Sequence, residues 1–129
     1  LYTKAYSRLS GLKLSGDDKQ LYNKLSVLAS VSGKYDAYKS FSDSGYVTMA
    51  ADSLVCAAGR CAVNADNAKE YGCELQLEQL KNIISDTLSS QYGLSYDDAI
   101  ALYNIDDRDD YTLALTQKLN ELGIKEETK

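Results

Sequence analysis

Gly33–Cys61 reads GKYDAYKSFSDSGYVTMAADSLVCAAGRC. Tyr35, Tyr38 and Phe41 recur at helical spacing, and the polar SDSG of residues 42–45 then interrupts the run. Gly45 suits the left-handed residue that closes a helix. Beyond it, Val47, Ala50, Ala51, Leu54, Ala57, Ala58 and Cys61 form one apolar face of a second helix, from about Val47 to Ala62. The stretch is therefore helix, tight turn, helix. The many alanines permit close approach, so the second helix is expected to be central, with neighbours on more than one side.

The same periodicity extends in both directions. Leu21, Leu25, Leu28 and Val31 continue the stripe of Tyr35, Tyr38 and Phe41 upstream, giving a long helix over about 17–43. Gly33 lies inside it, at a cost of about 1 kcal/mol relative to Ala, and marks a kink or a close crossing. The stripe keeps its phase across Gly33, which argues for one helix. Residues 2–13 carry Tyr2, Ala5, Tyr6, Leu9 and Leu12 on one face, and LSGDD breaks that helix. Downstream, NADNAKEYG is a short polar helix ending at Gly72. Leu77, Leu80, Ile84 and Leu88 form the seam of a helix over 74–92, which Gly93 stops. Ser95 followed by Asp98 is a start of capping-box type for a short helix with Ala99, Ile100, Leu102 and Tyr103. IDDRDD opens a last helix with Tyr111, Leu115, Leu119 and Leu122, ended by Gly123.

The chain has no proline among 129 residues, the residue helices tolerate least. No stretch alternates apolar and polar residues for long enough to make a strand. The expected fold is all-α: a single domain over residues 1–129, a compact bundle or short array of about six or seven helices, with the hairpin 34–61 near its centre. The start at Leu1 rather than Met leads us to expect a domain excised from a longer chain, or a processed form.

The Gly45 hairpin resembles one tetratricopeptide (TPR) unit. Gly45, Ala50, Leu54 and Ala57 match that pattern, with Phe41 near the aromatic position of the first helix. Tyr38 stands where a small residue is expected, the closing proline is absent, and no second copy follows at the TPR period. More loosely, LSVLASVSGKYDAYKSF with AADSLVCAAGR resembles helical soluble domains of uncharacterised Gram-positive membrane proteins. That resemblance implies a bacterial, membrane-associated protein, tethered through a segment outside this chain, and brings no catalytic residues.

Composition narrows the chemistry. The absence of histidine removes the commonest general base and metal ligand, and with it any Ser-His-Asp or Cys-His arrangement within the chain. No glycine-rich phosphate loop occurs. Cys56, Cys61 and Cys73 do not follow a usual zinc spacing. They read as buried, inert thiols; a Cys61–Cys73 or Cys56–Cys73 disulfide is the open alternative. Asp106, Asp107, Asp109 and Asp110 cluster around Arg108, but Arg108 stands where a calcium loop needs an oxygen, and no glycine or closing glutamate follows. These acids, like Asp97 and Asp98, read as helix-start groups that compensate the dipole. No cofactor or metal is expected.

Net charge is −5, unevenly spread: residues 1–39 hold seven basic against three acidic residues, and 40–129 hold seven against sixteen. The balance argues against nucleic-acid binding. The basic first third suits either an anionic membrane surface or packing beside the acidic remainder. No window is apolar enough for direct membrane insertion. Eleven tyrosines against one Phe and no Trp point to faces that run from core to water. Tyr35, Tyr38 and Tyr46 are the candidate interaction surface. The expected function is a non-catalytic helical module that binds a protein or peptide. The alternatives are a structural or oligomerising domain with the long second helix as its seam, and an enzyme of carboxylate type. The last would need a carboxyl pair in an apolar setting, which the sequence does not offer.

Overall fold

The computed structural model describes residues 2–9 and 16–123. They form seven helices and no strand: α1 (Tyr2–Leu9), α2 (Gly16–Asp43), α3 (Val47–Val63), α4 (Ala65–Tyr71), α5 (Glu74–Tyr92), α6 (Tyr96–Tyr103) and α7 (Arg108–Glu121). The all-α expectation holds, and α5 has the expected bounds. Leu12 and the first two residues of the LSGDD break lie outside the described residues, and Gly16, Asp17 and Asp18 already belong to α2. Leu122, expected on the last apolar stripe, instead caps α7 and is exposed.

The turn between α2 and α3 shows how local chemistry fixes the hairpin. Gly45 has φ +81°, a conformation that costs glycine nothing. The Tyr46 N–H donates to the Phe41 carbonyl at 2.9 Å and the Gly45 N–H to that of Ser42 at 3.1 Å. This is the Schellman pairing, and the Phe41 and Tyr46 rings, 6.4 Å apart and edge to face, supply its usual apolar contact.

α2 continues as one helix through Gly33, where α1 crosses it. A Cβ built on Gly33 meets Thr3 Cγ2 at 3.5 Å, an ordinary contact. α3 is the axis of the fold. It packs most extensively on α2 and also meets α4, α5, α6 and α7. Between Ala50 and Cys61, only Asp52, Cys56 and Arg60 are not buried. Its small residues explain the crowding: α6 approaches so closely that Gly59 has no room for a side chain beside the Tyr103 ring. α1 lies on α2, α4 on α2 and α5, and α7 on α6 and α3. Val31, Leu54, Val55, Ile84, Leu88 and Leu94 are the largest apolar side chains enclosed among these helices.

Candidate functional site

Met49 and Asp52, on the open line of α3, form the floor of a groove. Asp52, Cys56 and Arg60 recur every fourth residue and, with Met49 one turn earlier, make a stripe on one side of the helix. α2 supplies one wall with Lys34, Ala37 and Phe41. α7 supplies the other with Arg108, Tyr111, Thr112 and Leu115. The enclosed volume is about 580 Å³. A second recess of about 400 Å³ shares Lys34, Asp52, Arg108 and Tyr111 with the groove and continues past Cys56 to Tyr103, Ile105 and Asp106.

Each wall residue is placed by a local device. Arg108 is the first residue of α7, whose start is fixed by Asp107: its side chain accepts from the Asp110 N–H at 3.0 Å. Tyr111 follows one turn later, buried, with its hydroxyl donating to Asp52 Oδ1. Burial first, and then the Asp52 carboxylate, push the Tyr111 hydroxyl well above its ordinary pKa, so it stays a donor. Arg60 is drawn to α2, where Nη1 donates to the Ser30 carbonyl at 3.1 Å.

The electrostatics of the groove are asymmetric. Ala37, Phe41, Met49 and Leu115 form an apolar length, and Lys34 and Arg108 stand where groove and recess meet. Neither cation makes an ion pair among the described residues, where Lys69 and Glu74 at 3.8 Å form the one such pair. Cys56 lies in the same place, its Sγ 4.0 Å from Asp52 Oδ1. Burial and Asp52 raise its pKa, while Lys34, Arg60 and Arg108 pull it down less strongly. The thiol is therefore protonated at neutral pH and its nucleophilic form is scarce. The arrangement is equipped to hold and orient a bound group.

A further cavity of about 410 Å³ lies between α3, α4, α5 and α6, lined by Cys61, Lys69, Glu74, Leu77, Lys81 and Tyr96 among others. Several of its polar groups are occupied internally. Lys69 pairs with Glu74, Lys81 sits 4.9 Å from the centre of the Tyr96 ring, and the Tyr96 hydroxyl donates to the Ala58 carbonyl at 3.1 Å. Burial pushes the Cys61 thiol up to about 11.

The three tyrosines chosen from sequence do not assemble into one surface. Tyr38 is 7% exposed, its ring 6.4 Å from that of Tyr92 on α5. Tyr35 is half-buried and donates to Thr87 Oγ1 on α5 at 3.2 Å, since that oxygen itself donates to the Ile83 carbonyl. Tyr46 is 43% exposed but is engaged with Phe41 in the turn. The helical phase of α2 turns Tyr35 and Tyr38 toward α5, away from the groove. The cysteine expectation also needs correction at one position: Cys61 and Cys73 are buried, but Cys56 is half-buried on the open stripe, and all three are free thiols.

Sequence reasoning missed Lys34, Met49, Asp52 and Tyr111 as groove residues, and treated Arg108 only as an obstacle to calcium. One signal was available. Asp52 and Arg60, eight residues apart and so on one side, are the charged residues of an otherwise small and mostly apolar helix.

No protein-family model, curated protein or solved structure matches this chain.

Proposed function

We propose that this chain is a non-catalytic helical protein-interaction module that receives a protein or peptide segment in the groove between α2, α3 and α7. One observation carries the reading: between Ala50 and Cys61, α3 is buried except along a stripe whose Met49 end faces a groove with an apolar length and two cations that make no ion pair among the described residues. Concave, mostly apolar sites with a few placed polar groups are where proteins take up ligands. The α2–α3 hairpin would present this face in a TPR-like manner, with small residues bringing the two helices together so that side chains further along remain open. The resemblance to soluble domains of Gram-positive membrane proteins supports a membrane-associated setting. Among the described residues no helix is long and apolar enough to cross a membrane, so a tether would lie in another segment.

The test is selection of short random peptides, displayed through their C-terminal ends, on the chain and on its Met49→Arg variant. Met49 is 48% exposed on the groove floor, so a long cation there obstructs the groove without unpacking α3. Peptides that bind the parent chain and lose binding to Met49→Arg are expected. A pool that binds both equally, or no pool at all, ends this reading.

A further inference from the structure

Lys34 and Arg108 also define what the groove takes. They come from different helices, yet both line the groove and the recess beyond it, so they flank the passage between the two. Facing them in the groove is one carboxylate, Asp52, which already accepts the Tyr111 hydroxyl. Within the groove lining, Lys34 and Arg108 against Asp52 leave a surplus of one positive charge, which Asp106 cancels in the recess beyond. On one side of this point the groove is apolar, through Ala37, Phe41, Met49 and Leu115.

We infer that the partner is a peptide segment presenting an aliphatic side chain followed by a single Asp or Glu, the aliphatic group against Phe41, Met49 and Leu115 and the carboxylate between Lys34 and Arg108. This rests on the groove being a peptide site. The guanidinium offers paired donors that match a carboxylate, and the ammonium adds a point charge. A side-chain carboxylate fits better than a chain terminus, because the recess continues past the cations, and a chain that ended there would leave it empty. A long acidic run fits worse. Asp106 lines the recess, and residues 40–129 carry sixteen acidic against seven basic residues, so further acids meet repulsion.

The experiment extends the same display selection to the Lys34→Glu/Arg108→Glu variant, with circular dichroism to confirm that it stays folded. On the parent chain, Met49-dependent peptides should be enriched in an aliphatic residue next to one acid. On the reversed variant they should lose binding by about tenfold, the effect of removing two partly exposed ion pairs and adding like-charge contacts. The variant should select Lys or Arg in the acid's place, and parent-chain binding should weaken as salt is raised. Met49-dependent peptides with no acid, or an acid preference unmoved by the double reversal, overturn this inference and leave the groove as a peptide site. The absence of any Met49-dependent pool overturns both.

Discussion

Gly59→Ala is expected to destabilise the protein although alanine is the better helix former. The new Cβ would overlap Cγ, Cδ1 and Cδ2 of Tyr103. Carbon atoms in contact sit about 3.5–4.0 Å apart, so the ring must retreat by more than about 1 Å to reach even the near edge of that range. Cγ is bonded directly to the Tyr103 Cβ, so turning the ring about its own axis gives no relief; either χ1 changes or α6 moves. Movement of α6 disturbs buried Ala99 and Leu102 and a helix start fixed by its capping box. Overpacking of this kind costs about 1–3 kcal/mol, and the helix preference of Ala over Gly offsets about 1 kcal/mol. The net expectation is a loss of up to about 2 kcal/mol. Urea unfolding followed by circular dichroism measures it as a lower midpoint with an unchanged slope. The decisive comparison is the same substitution in a Tyr103→Ala background. There the obstruction is gone and Gly59→Ala should stabilise, by about 0.5–1 kcal/mol. The same sign in both backgrounds would refute the reasoning.

Four further outcomes are expected. Gly33→Ala should be neutral or stabilise by up to about 1 kcal/mol, because its Cβ meets Thr3 at an ordinary 3.5 Å; a clear loss in the same urea assay would mean that α1 and α2 cannot admit a methyl group. Ser95→Ala should cost about 1 kcal/mol, since the Ser95 side chain accepts from the Asp98 N–H at 3.0 Å and the Asp98 carboxylate accepts in return from the Ser95 N–H at 3.2 Å; an unchanged midpoint would deny that this cap holds α6. Tyr111→Phe should cost about 1–2 kcal/mol through the lost bond to the Asp52 carboxylate, and a cost of zero would show that water replaces the phenol there without penalty. Stability should also fall in alkali. Burial raises Cys61 from 9.0 to about 11 and Tyr92 from 10.0 to about 12. The unfolded chain therefore releases these protons first, and stability is full below about pH 9 and declines as pH rises toward 12. Unfolding midpoints across that window should show Cys61→Ala flattening the first part of the decline, and an unaltered slope would remove Cys61 as a cause.

The fold was legible wherever helix ends carry their own chemistry. Gly45 closes α2, Gly93 closes α5, Ser95 and Asp98 open α6, and Asp107 opens α7. Each acts within a few residues of itself, so sequence order is enough to see it. The alanine face of α3 was legible for a related reason, because small residues at helical spacing have few uses besides close packing. The groove was not legible, because it is made by residues from three helices whose mutual rotation is set by packing. An abundance of tyrosine says nothing about that rotation. Tyr38 and Phe41 belong to one stripe of α2, yet Tyr38 faces α5 and Phe41 lines the groove. Gly59 escaped notice as well, since its reason is the Tyr103 ring of a helix far along the chain.

The groove and the crowding of α3 have one origin. Where α3 carries Ala50, Ala51, Ala57, Ala58 and Gly59, neighbouring helices come in close and leave no space. Where it carries Asp52 and Arg60, with Met49 before them and Cys56 between, a helix cannot settle without stranding buried charge. α7 meets this stripe through Tyr111, a side chain long enough to reach Asp52 while keeping its backbone away. The space left between them is the groove. The close approach at Gly59 contributes as well, because it brings the Tyr103 ring to the wall of the recess beside Cys56. A substitution that forces that ring outward therefore reshapes the recess along with the core. For this reason Gly59→Ala should weaken any peptide that extends past Lys34 and Arg108, in addition to its effect on folding.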